Sequence, residues 1–351
     1  MNFTKITAVF IGIILLMLPS LSSAHHSTAG FFDSASKIEI AGVITDIHWR
    51  NPHTIFELDV QNEDGSVTGW SVESGALSVL RAQGLTSEVV DVGDFVKILG
   101  DKSLRNRPET FARNMLVPSG AEVLLTLGAQ EHFSNSGSTG LMRGDYDEDL
   151  IAEARSNAEG IFRVWSRIGD DASFMRPIFG TNAVARLPFT EQGNEIFDRW
   201  DPSAEFILGC TDWNMPRLMG NPLPMEFVRE GENILIRFEE SDSRRTIHMN
   251  PGLDTAPRGH SLMGYSVGHW EDDTLVVQTS HILDYSYQMP VSRQISLLEK
   301  FAASEDGTVL NYEIVVTDPV MLTESVTKNT TWNWRPEIEI NSYACEQEQE
   351  I

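Results

Sequence analysis

The spacing of apolar and polar residues changes along this chain, and the changes divide it. Lys37 to His48 alternates as a strand, with Ile38 and Ile40 before Gly42 and Val43 and Ile47 after it. Gly42 in such a run marks a bulge. Phe56, Leu58 and Val60 alternate with Glu57 and Asp59 in a second strand. The turn Asn62-Glu63-Asp64-Gly65 leads into a returning strand from Val67 to Glu73. The period then becomes helical: Leu77, Leu80 and Leu85, with Ala76 and Arg81, predict a short helix closed by Gly84. Phe95 to Leu99 and Phe111 to Val117 predict two more strands.

Three strands, a helix and two strands form the order of an OB-fold, a small five-stranded barrel. Residues 25–117 are therefore expected to form an OB-like domain. Residues 118–159 read as a connector. His132 to Gly144 is rich in Ser, Gly, Asn and Thr, and Asp145 to Glu159 carries a short helix through Leu150, Ile151 and Ala154. Residues 160–351 are dominated by strands. After an opening strand at Gly160 to Trp165, Thr190 caps a helix reaching Trp200. Hairpins follow: Met225–Val228 with Ile234–Phe238, Tyr265–Trp270 with Thr274–Thr279, Ile295–Phe301 with Val309–Val316, and Ser325–Trp334 with Glu337–Tyr343. Arg245 to Met249 adds a single strand. The fold class is thus all-β with minor helix. The second domain is expected to be an antiparallel up-and-down β-barrel, lipocalin-like with an interior cavity, because closure removes exposed edges. A β-sandwich is the alternative.

Location comes from the first 24 residues. Lys5 precedes an apolar run from Ala8 to Leu18, Pro19 breaks it, and Ser22-Ser23-Ala24 supplies small residues for cleavage after Ala24. This predicts a secretory signal peptide over 1–24 and a periplasmic or secreted product. The run is too short to span a bilayer, and no later stretch is long enough. The chain carries 26 Lys and Arg against 51 Asp and Glu, a net charge of −25. Such a surface repels phosphate and sets nucleic acid aside as a partner, although OB-folds often bind it. Cys210 and Cys345 are the only cysteines. In an exported chain such a pair usually forms a disulfide, with two buried thiols as the alternative.

The candidate chemistry is histidine chemistry. Cleavage after Ala24 would leave His25 with a free α-amine beside its imidazole. Together with a second imidazole this makes a three-nitrogen copper site, and nitrogen donors in a plane suit Cu(II). His53, held behind Pro52, is the first choice for that second imidazole, with His48 and His26 as alternatives; ordinary turn and strand roles remain open for all of them. A second group, His260, His269 and His281 with His248 nearby, is a candidate metal or acid/base site. Separate histidines satisfied by local hydrogen bonds are the simpler reading. Gly264-Tyr265-Ser266-Val267-Gly268 matches a serine-nucleophile pattern. That pattern needs a strand-to-helix elbow, and here a β-run follows, so the hydrolase reading is rejected. Methionines and tryptophans spread through the second half suit either a core or the lining of an apolar pocket.

Two resemblances can be named from motifs. His25-His26-Ser27, Phe32-Asp33, Gly42-Val43 and Trp49-Arg50-Asn51-Pro52-His53, continued by Trp70, Leu80-Arg81, Gly84, Gly93-Asp94 and Gly100, resemble a family of small exported bacterial proteins of unassigned function. In the second half, Cys210 and Pro216-Arg217 are followed by Pro224-Met225-Glu226 and Arg244-Arg245-Thr246-Ile247. Met263 to Glu271, Asp273 to Val277 and Tyr343-Ala344-Cys345 complete a likeness to another exported family without a settled activity. His269 stands where that family more usually carries Arg. These likenesses imply export, two domains and a Cys210–Cys345 bridge. The expected function is that of an exported soluble binding protein, with a small apolar ligand in the barrel and copper at the mature N-terminus. The alternatives are a periplasmic enzyme using a histidine site and an envelope protein-interaction module.

Overall fold

A computed structural model describes residues 31–126, 128–136, 138–140, 142, 147–168, 187–199, 212–250, 258–284 and 289–343. His25, His26, Cys210, Cys345 and the leader at 1–24 lie outside the described residues, as do the contacts assigned to them above.

The N-terminal unit is built from β1 (Phe32–His48), β2 (Ile55–Gln61), β3 (Val67–Glu73), the helix α1 (Leu77–Arg81), β4 (Phe95–Ser103), β5 (Glu109–Leu116) and β6 (Glu122–Leu124). The sheet order is β3-β2-β1-β4-β5-β6, and β3 also pairs with β5. The pairings β1–β2–β3–β5–β4–β1 therefore close a five-stranded ring with α1 between β3 and β4, the OB connectivity. Strand directions cannot alternate around an odd ring, so one neighbouring pair must run parallel. That pair is β3–β5. Phe56, Leu58, Val72, Val96, Ile98 and Met115 fill the interior. Gly42 and Gly100 sit where backbones approach closely. A Cβ on Gly100 would lie 2.9 Å from the Phe111 carbonyl oxygen, and one on Gly42 would lie 2.6 Å from that of Asp59.

The connector helix α2 (Glu148–Asn157) starts at Asp147, whose carboxylate accepts from the amides of Asp149 and Leu150. The second unit contains β7 (Val164–Ser166), α3 (Glu191–Asp198), β8 (Met225–Glu230), β9 (Asn233–Phe238), β10 (Arg244–His248), β11 (Tyr265–Glu271), β12 (Thr274–Ser280), β13 (Ser296–Ala303), β14 (Val309–Thr317) and β15 (Val326–Trp334). Thr190 Oγ1 caps α3 by accepting from Gly193 N at 3.1 Å. The nine strands form a closed barrel. Again the number is odd, and β10–β11 is the one parallel pair. The barrel is therefore up-and-down except across the connection from 249 to 264.

One expectation is corrected here. Glu337–Tyr343 does not form a hairpin with β15, because β7 occupies the free edge of β15 and closes the barrel. The segment instead crosses to the N-terminal unit, where Tyr343 bridges Asn51 and Ile338 packs with Ala76, Val79 and Ala82. A 3-10 turn (Arg217–Gly220) behind Asn214 and Met215 is fully buried, and Met215, Leu218 and Met219 join the barrel core with Trp165, Phe227, Phe301, Tyr312 and Trp332.

Candidate functional site

The Trp49-Arg50-Asn51-Pro52-His53 motif forms the loop between β1 and β2, and its residues point to different partners. Asn51 Oδ1 accepts from Leu77 N at 2.9 Å, so the loop holds the start of α1. Thr54 N donates to the Gly75 carbonyl and Ser74 N to that of Thr54, which fixes the loop to the end of β3. His53 Nδ1 is hydrogen-bonded to Glu73 Oε1. With an ionised carboxylate, which only accepts, and a neutral ring, Nδ1 carries the proton and Nε2 keeps its lone pair. His53 retains 13% of its side-chain exposure and Glu73 8%. This is the arrangement in which a carboxylate orients an imidazole for a metal.

Aromatic packing completes the surroundings. The His53 ring meets Phe111 edge-on at 5.7 Å, and the Phe32 ring lies 5.9 Å from that of Phe111. Phe32 opens β1 and pairs with Ser103 on β4. The start of β1 therefore lies two ring contacts away from His53. His25 lies seven positions before Phe32, and seven extended residues reach roughly 23 Å. His48 occupies a different place. The register sets His48, Ile55 and Glu73 in one row across three strands, so His48 stands about 10 Å from Glu73. Its Nε2 is 3.6 Å from Asp46.

The second histidine group is split by the barrel. His260 and His281 come together, with ring centroids 5.5 Å apart, and Ser280 Oγ lies 2.8 Å from His281 Nδ1. His269 is on β11 near its hairpin turn, exposed and 3.2 Å from Glu271. His248 stacks on Tyr265 at 4.7 Å, with the Arg258 guanidinium over that tyrosine at 3.8 Å. Among the described residues, no three His, Cys, Asp or Glu converge as a metal site.

Sequence reading missed the most deeply buried charges. Arg245, Ser266, Thr279, Glu299 and Tyr312 come from five successive strands, β10 to β14, and meet inside the barrel. Arg245 pairs with Glu299, and donates to Ser266 Oγ at 3.0 Å and Thr279 Oγ1 at 2.7 Å. Tyr312 donates its hydroxyl to Glu299 at 2.8 Å, and burial pushes its pKa well up. Ser266, the would-be nucleophile, is thus a buried member of this network. The signal was present: Glu299 lies between Leu297 and Phe301 in alternation, at an inward position. Near the other unit, a groove of about 330 Å³ runs between Trp49, Leu80, Arg81, Asp147, Glu337 and Glu339.

A profile of a family of unknown function, DUF6152, matches residues 14–109, which takes in β1 to β4 and the first residue of β5. No curated protein matches the chain. Among the described residues no helix is long and apolar enough to cross a membrane.

Proposed function

We propose that this chain is an exported copper-binding protein, with His53 supplying one imidazole and the mature terminal residue His25 supplying an amine and a second imidazole. The observation that carries this reading is the His53–Glu73 pair, which leaves Nε2 as the available ligand atom near the start of β1. The donor set fits the ion: three nitrogens in a plane suit Cu(II). Glu73 orients the ring, and Phe111 restricts its rotation. The carrier reading has less support, since Met215, Leu218 and Met219 of the segment around 217–220 pack into the barrel core. Mass spectrometry of the exported protein gives the mature terminus; a residue other than His25 removes the amine ligand and ends the reading. With His25 in place, Cu(II) titration compares the protein with His53→Ala. Equal affinity in both would remove His53 from the site.

A further inference from the structure

The junction between the two units contains a carboxyl that the copper reading does not use. Glu239 follows β9 and belongs to the barrel, but it lies against the N-terminal unit with 0% of its surface exposed. Its Oε2 accepts from both the amide and the side-chain Nδ2 of Asn341, each at 3.1 Å. Its Oε1 is buried without a partner. Two further buried polar atoms, Ser78 Oγ on α1 and Asn51 Nδ2 in the β1–β2 loop, are also left without one. Both residues face this carboxyl and favour its charged form, and burial opposes them as the largest influence. The charge state of Glu239 is therefore tied to whether the two units are in contact.

The other groups around it are already committed. Glu240 accepts from Asn221 Nδ2 at 2.6 Å and from the Tyr343 hydroxyl at 3.1 Å, and both Asp242 oxygens accept from Tyr343 N at 3.1 Å. Arg81 of α1 pairs with Glu339 at 3.0 Å. Arg335 is bound to Glu337 and to the Ile168 carbonyl. His53, in the same loop as Asn51, is turned to Glu73. None of the five largest influences on Glu239 is a cation.

We propose that Glu239 is a pH-operated latch between the two units, holding the 339–343 segment and the Asn51 loop together when neutral and loosening them when ionised. Separation returns the carboxylate to water, so ionisation and opening favour each other. The sign follows from burial. Docking is complete where the carboxyl is neutral and weakens as pH rises through the raised value. Each unit of that elevation is a tenfold change in the docking equilibrium. The latch does not depend on copper.

Hydrogen exchange by mass spectrometry on the full chain tests it between pH 5 and 8, with rates corrected for the intrinsic pH dependence of exchange. The reporters are the amides of Leu77, Asn341 and Tyr343, and the internal control is 296–303 in β13. Relative to that control, the reporters are expected to speed up at least tenfold across the range in the native protein and to stay flat in Glu239→Gln. A flat native profile, or an equal rise in Glu239→Gln, overturns the proposal. Ser78→Ala gives an arm that keeps Glu239. Loss of a hydroxyl that favours the charged form must move the midpoint to higher pH, and an unmoved midpoint overturns the proposal as well.

Discussion

Two buried glutamates, both fully out of solvent, show how partners decide what burial does. Glu299 in the barrel lumen has four acceptor interactions filled by Arg245, Tyr312 and Thr279. Glu239 at the unit junction has one oxygen doubly bonded, while the other makes no full hydrogen bond and has only Ser78 and Asn51 facing it. In the first the charge is compensated and locks five strands in register. In the second, burial outweighs the hydrogen bonds from Asn341, Ser78 and Asn51 and pushes the pKa up. The same residue type is a rivet in one region and a titrating contact in the other. A buried ion pair is poor grounds for stability in itself, but it is costly to break.

The largest effect is expected from breaking the rivet. Glu299→Ala leaves Arg245 buried and unpaired, a loss of about 3–5 kcal/mol in denaturant unfolding. Replacing both partners with apolar residues, Arg245→Met with Glu299→Leu, is expected to cost less than the single change; a greater cost would mean the pair contributes net stability. Next comes the proposed copper site. Glu73→Gln weakens the orientation of His53, with a loss of roughly 10–100-fold in Cu(II) affinity measured by competition titration. At the junction, Glu239→Gln separates the two glutamates by pH. The raised pKa of Glu239 gives a contribution present below the ordinary glutamate range and lost as pH rises through the raised value. Native stability should therefore fall relative to Glu239→Gln between pH 5 and 8, read from unfolding midpoints. The smallest effect belongs to Asp306 in the β13–β14 turn. Hydrogen bonds from Ser304 and Thr308 lower it to about 2. Its contribution is present above the ordinary aspartate range and lost as pH falls through about 2, so Asp306→Asn changes the unfolding midpoint slightly at pH 5 and leaves it unchanged at pH 1.5.

Local periodicity made most strands legible. β8, β9 and β11 to β15 lie where alternation and polar turns place them, because each hairpin is decided by residues close in sequence. Closure was less legible, since it depends on which distant edge is free. The segment after Trp334 alternates well enough for a strand, yet β7 has taken the edge it needed. Both barrels close with an odd number of strands, and the resulting parallel pairs, β3–β5 and β10–β11, join residues that no local pattern links. The site was legible in part. Pro52 and His53 stood out in the β1–β2 loop, but Glu73 looked like an ordinary strand end, because its tie to His53 exists only once β2 and β3 are paired. Asn51 carried no sign of its role at the junction, since its neighbours there, Tyr343 and Glu239, lie in the other unit.

The central claim is that His53, set by Glu73, is a copper ligand. Electron paramagnetic resonance of the Cu(II)-loaded protein beginning at His25, compared with His53→Ala, tests it most directly. The account predicts an axial spectrum with nitrogen couplings from three donors, reduced to two in His53→Ala. Identical spectra and couplings in the two proteins would contradict it.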